Sequence, residues 1–276
     1  MLRLSAASMP GAARAAGTVA PLILPGVLAL AFVASAAATV LGGIAMASMG
    51  DAMSTPGRWA PSMTWVRMPG QGWPGAVAVF LLMWMPMMAA MMLPSVGRVL
   101  SRYGRALACA GNPHAGRIAA AATLGYFLVW AVAGVAIYLP GAAWAQAALQ
   151  HRWLARAIPF AAAAAVMLAG VVQFTAWKVR RLACCRAVPG EPRPQEGMVA
   201  GLRQGLRLGF DCVRCCGNLM AVSLAAGVMD LRTMAIVTLA ISAERLLPAG
   251  ERVARAVGLL VLGAGLLLFV RAVGAG

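Results

Sequence analysis

Residues 75 to 96 read GAVAVFLLMWMPMMAAMMLPSV, a run with no charged side chain. A helix of that length rises ~33 Å, enough to cross the ~30 Å hydrocarbon core of a bilayer. Comparable apolar runs lie at about residues 20 to 41, 118 to 140, 158 to 177, 208 to 229, 231 to 247 and 256 to 273, the sixth of the seven being short. The expected fold is therefore all-α, a polytopic transmembrane helical bundle of about seven spans. Composition agrees, with 62% apolar and 11% charged residues across 276 positions, a profile unlike that of a water-soluble domain. No long soluble domain interrupts the pattern. The chain divides into residues 1–74 (a first span and a Met-rich outer loop), 75–250 (a metal-binding type of membrane domain) and 251–276 (a last span).

A formal charge of +16 would point to nucleic acid in a soluble chain, so the placement of the charges decides. With the N-terminus inside, 16 of the 23 basic residues fall on the cytoplasmic side, six outside, and Arg214 within the fifth span. That asymmetry is a positive-inside signal. Lipid, in a bacterial inner membrane with basic loops cytoplasmic, replaces nucleic acid as the expected partner. Residues 1 to 41 combine a basic start, an apolar stretch and the small-residue run Ala34 to Ala38, which also fits a secretory signal peptide. Either reading leaves the following segment outside. Residues 187 to 197, rich in Pro and Gly, read as an irregular connector.

This topology puts Cys109, Cys184, Cys185, Cys212, Cys215 and Cys216 in cytoplasmic loops or the cytoplasmic leaflet, where structural disulfides are not expected. Cys212, Cys215, Cys216 and Met220 are spaced i, i+3, i+4, i+8, along one helical face. Thiolates and thioethers on one stripe suit Cu(I), thiolates alone suit zinc, and small apolar packing is the other reading of cysteine there. In the second span Met83, Met85, Met87, Met88, Met91 and Met92 crowd around Pro86. Methionine fills gaps at a proline kink, yet six in ten positions exceed that need, and Met88 and Met92 share a face near the inner leaflet.

Glu244 lies near the inner end of the sixth span, at about the depth of Asp211, Arg214 and Cys215. An intramembrane carboxylate is usually paired, so Glu244 reads either as the ion partner of Arg214 or as a ligand or proton acceptor. Gln173, Thr175 and Lys178 close the fourth span at the same level. Four features distant in sequence thus converge at one depth. Outside, Met46, Met49, Met53, Met63 and Met68 occupy a loop anchored by Trp59, Trp65 and Trp73 at the membrane surface. Phosphate-loop, H-E-x-x-H and G-x-S-x-G elements are absent from the sequence, which argues against an ordinary ATPase or hydrolase.

The run Trp84 to Ser95 (WMPMMAAMMLPS), the element Gln173 to Lys178 (QFTAWK) followed by cysteines, and Cys212 to Met220 (CVRCCGNLM) with Gly227 to Asp230 and Glu244 stand in a recognisable order. Together they resemble a bacterial family of predicted metal-binding integral membrane proteins, domain of unknown function 2182, over about residues 75 to 250. The resemblance implies a metal-binding membrane bundle. Where the family pattern has a cysteine this chain has Arg181; Cys184 matches its second cysteine and Cys185 is additional. Arg214 stands at a family glycine and Gly217 at a family aromatic.

The combined expectation is a membrane protein holding a soft transition metal ion, copper or alternatively zinc, near the cytoplasmic leaflet. Cys212, Cys215 and Cys216 lead the ligand set, Met88, Met92 and Met220 complete it, and Cys184 and Cys185 receive or deliver the ion. Glu244, Lys178, Asp211 and Arg214 surround it. Metal handling or transport, with a possible metal-delivery protein as partner, is the expected function. A metal- or thiol-dependent membrane oxidoreductase and a non-catalytic structural subunit are the alternatives.

Overall fold

A computed structural model describes residues 25–45, 65, 70–186, 197–226 and 230–274. Described residues form eight helices: α1 (Pro25–Ala45), α2 (Trp73–Cys109), α3 (Ala115–Gln150), α4 (Arg152–Val172), α5 (Ala176–Arg186), α6 (Met198–Ala226), α7 (Leu231–Leu246) and α8 (Gly250–Gly274). Six of them, all but α5 and α7, are long and apolar enough to cross a membrane. The all-helical, multi-pass architecture expected from the apolar runs is the one observed. Most of the Met-rich outer loop, the 187–196 connector and the Gly227–Met229 element lie outside the described residues.

Two boundaries differ from expectation. The fourth span ends at Val172 rather than near 177, because Gln173 to Thr175 turn the chain and α5 starts afresh. Thr175 makes that start: its hydroxyl donates to the Val172 carbonyl at 2.7 Å and accepts from the Lys178 amide at 3.3 Å, an N-cap arrangement. Lys178 and the cysteines after it therefore ride on a short helix, not in a loop. The sixth expected span is α7, with 16 residues, a rise of ~24 Å that falls short of a bilayer core. Its N-terminal end is capped by Asp230, whose carboxylate accepts from the Arg232 and Thr233 amides.

Helix α6 is central to the packing. Gly201, Gly205 and Gly209, four residues apart, lie against α3 so closely that a Cβ on Gly205 would stand 1.9 Å from the Ala122 carbonyl oxygen. Small residues allow this backbone approach, as in membrane helix pairs generally. Gly201 meets Ile118, Gly205 meets Ala122 and Gly209 meets Val129, so α3 and α6 run parallel. Helices α2 and α3 run antiparallel: Trp84 donates its indole N–H to the Trp130 carbonyl at 2.9 Å, while Phe80 stacks on Tyr138. Trp65, expected at the membrane surface, packs on Phe80 and Tyr138. Against α8, Gly170 meets Leu262 and Met167 meets Gly265, an antiparallel pairing with α4. These directions bring the C-terminal half of α2, the start of α3, the middle of α6 and the C-terminal end of α7 to one level.

Candidate metal centre

Directly beyond the glycine seam, α6 presents Cys212, Cys215 and Cys216, all buried. Their i, i+3, i+4 spacing places them on the inward stripe, and neighbouring helices supply what they touch. From α2, the Met92 thioether sulfur stands 3.7 Å from the Cys212 Sγ. From α3, the Tyr126 hydroxyl is 3.0 Å from that same sulfur. From α5, Cys185 Sγ donates to the Asp211 carbonyl at 3.4 Å. Cys215 and Cys216 stand beside these sulfurs on α6, so that Cys185, Cys212, Cys215 and Cys216 make a ring of thiols. From α7, Arg245 closes the ring, with one Nη2 at 3.1 Å from Cys212 Sγ and 3.8 Å from Cys185 Sγ.

Arg245 is the residue that sequence reasoning missed. The basic bias takes it as one of the sixteen cytoplasmic-side charges, and its position next to Glu244 is the signal that the sequence offers. Its Nη1 donates to Ser95 Oγ at 3.1 Å, and its enclosed Nε has no partner among the described residues. Helix α5 also carries the surprise among the cysteines. Cys185, the one in addition to the family pattern, is half-buried and reaches the ring, whereas Cys184 is exposed, as is Cys109. Hydrogen bonding to Cys215 and burial both push the Cys185 thiol above its ordinary range. An ion bound there has to displace a proton.

The expected pairing of Glu244 with Arg214 is overturned. Glu244 Oε2 lies 2.8 Å from Lys178 Nζ, both side chains being almost wholly enclosed, and Arg214 is exposed on the other side of α6. Each partner of the pair is satisfied further: Lys178 donates to the Cys215 carbonyl at 2.8 Å, and Gln173 donates to Glu244 Oε1 at 2.7 Å. This network braces the backbone of α6 at a candidate ligand, from α4, α5 and α7 together. Asp211 enters the cluster through its carbonyl oxygen. Met88 and Met220 are buried in the same core.

Among the described residues, no group of three or more His, Cys, Asp or Glu side chains stands ready-made to hold an ion. The sulfurs of Cys185 and Cys212 spend their contacts on Met92, Tyr126, the Asp211 carbonyl and Arg245. A soft ion that needs few ligands still fits this donor set, since thiolates with a thioether are the chemistry that selects Cu(I). A structural zinc site demands four ligands in a closed tetrahedron. The ring holds four thiols, but Arg245 occupies one side of it.

A family model described as PpoB2, copper chaperone, matches residues 81–268, about two thirds of the chain. The match spans every helix that contributes to the ring and agrees with the metal-binding character that the motifs implied. No curated protein and no solved structure matches.

Proposed function

Since the chain belongs to the PpoB2 copper chaperone family, we propose that it carries Cu(I) as cargo, held by two thiolates drawn from the Cys185, Cys212, Cys215 and Cys216 ring, Cys212 among them, and by the Met92 thioether. The observation that carries this reading is the approach of Met92 Sδ to Cys212 Sγ, 3.7 Å apart on helices 120 residues distant in sequence. A thioether aimed at a thiol offers a neutral soft donor beside one that can ionise, and thioethers need no deprotonation to bind. Burial keeps water from competing for the ion and keeps the thiols from oxidation.

Delivery follows the exposure of the cysteines. Cys184 is exposed, Cys185 half-buried and Cys212 buried, in that order from α5 into the core. An ion handed to Cys184 passes to Cys185 and then to Cys212, each step exchanging one thiolate for the next with a proton returned to the thiolate left behind. The site sits near the cytoplasmic leaflet of a bacterial inner membrane, a reading supported by the basic bias of the loops. Its donor and acceptor would be metal-delivery proteins.

Metal analysis of the detergent-purified protein, loaded with Cu(I) under reducing conditions, tests the proposal. About one equivalent of copper is expected in the native chain and in Cys109→Ser, with loss in Cys212→Ser. Unchanged copper in the Cys212→Ser/Cys215→Ser/Cys216→Ser variant returns these residues to packing.

A further inference from the structure

Two cations flank the thiol ring, the buried Lys178 and the half-buried Arg245, and among the described residues it is Lys178 that has a carboxylate partner. Lys178 and Glu244 sum to zero at 2.8 Å. The guanidinium of Arg245 donates instead to a hydroxyl and two sulfurs, its Nε being enclosed without a partner among the described residues. Among the described residues the Lys178–Glu244 bridge is the ion pair found, and the other acid of the region, Asp211, meets the cluster by its backbone. Arg214 is exposed. The ring therefore lies against one fixed positive charge, and a buried charge needs a counter-charge. An arginine does not relieve this by deprotonation.

We propose that Arg245 makes the site selective for a monovalent soft ion over a divalent one, an inference that rests on the copper-handling reading. Two thiolates around Cu(I) carry a charge of −1, and a neutral Met92 thioether leaves it so. Arg245 cancels that charge and donates an N–H to the complex at the sulfur it already touches. The same two thiolates around Zn(II) are neutral, and Arg245 is then left with no counter-charge in a low-dielectric site. A third thiolate would restore balance for zinc, but the guanidinium stands between Cys212 and Cys185 and blocks the closed geometry that zinc requires. Arg245 is thus a specificity-determining residue that acts through charge and position without binding the ion.

The test is competitive titration of the full-length protein in detergent with Cu(I) and, separately, Zn(II), against chelators of known affinity, for the native chain, Arg245→Lys and Arg245→Gln. Arg245→Gln is expected to reduce the preference for Cu(I) over Zn(II) ~10-fold or more, the size of effect one opposite charge has on a neighbouring ionised group. Arg245→Lys keeps most of the preference. A preference unchanged in Arg245→Gln overturns the inference while leaving copper handling intact, and a native chain that binds no Cu(I) overturns the copper reading itself. Should Arg245→Gln fail to fold, X-ray absorption of the Cu(I)-loaded native chain decides. Two thiolates, with or without a thioether, support the charge match, and three or four thiolates exclude it.

Discussion

Glu244 and Arg245 are consecutive residues at the C-terminal end of α7, and their side chains enter two kinds of environment. Glu244 meets a lysine, a glutamine amide and nothing unsatisfied on its own oxygens. Arg245 meets sulfur, a hydroxyl and an empty position at Nε. The first is a network in which the two charges cancel and both carboxylate oxygens are used. The second is an open one, in which soft donors and a fixed charge await something that completes them. Two adjacent side chains thus separate a brace from a site, and the brace holds the site in place, because Lys178 grips the carbonyl of Cys215.

The largest effect should come from breaking the charge-balanced network. Glu244→Gln leaves the buried Lys178 without its carboxylate, and breaking one side of such a pair typically costs ~3 to 5 kcal/mol. A marked fall in thermal unfolding temperature in micelles is expected. Removing both charges, as in Lys178→Met/Glu244→Leu, should recover at least half of the loss, because well-packed apolar residues replace a buried pair at little cost. A double variant as unstable as the single one would show that the charges matter for more than each other.

Completing the open network should come next in size. Cu(I) at a hundredfold excess over its dissociation constant adds ~2.7 kcal/mol to the stability of any chain that binds it only when folded. The native chain should gain about that much, read as a rise in unfolding temperature under reducing conditions, and Cys212→Ser should gain almost nothing. Lys178→Met/Glu244→Leu should still gain, since the brace supplies no donor to the ion. Loss of the gain in that double variant would break the distinction between brace and site.

The sequence made depth legible but not direction around the helix axis. Hydropathy and the basic bias ordered Met92, Cys212, Glu244 and Lys178 along the membrane normal, and these four do meet at one level. Azimuth decides which of several groups at one depth touch, and it depends on how helices pack. Glu244 was therefore matched with Arg214 by depth, while the bundle turns Arg214 outward and carries Lys178 inward on α5. Helix α5 itself was hidden because Ala176 and Trp177 extend the apolar run past the turn at Gln173 to Thr175. The cysteine stripe gave a face of α6, and Gly201, Gly205 and Gly209 add a second azimuthal signal, the face that meets a neighbouring helix. Their spacing marks the face of α6 that lies against α3, and Cys212 and Cys216 continue the stripe a residue or so around from it.

Arg214 gives the smallest expected effect and the sharpest control. It stands one residue from Cys215 in the sequence, at the depth of Glu244, so proximity along the chain would assign it the part that Arg245 plays. Its side chain is exposed, and the long aliphatic stem of an arginine lets the charge reach toward the membrane surface from there. Arg214→Ala should shift stability by no more than ~0.5 kcal/mol, as for surface positions away from any network. It should leave the Cu(I) affinity unchanged. Combined with Glu244→Gln it should be additive within ~0.5 kcal/mol, since residues without shared partners do not couple. A coupling energy well above that, or recovery of the Glu244→Gln loss by Arg214→Ala, would mean that the carboxylate senses Arg214 after all. The charge-balanced network would then include a third cation, and the separation between Glu244 and its neighbour would have to be redrawn around it.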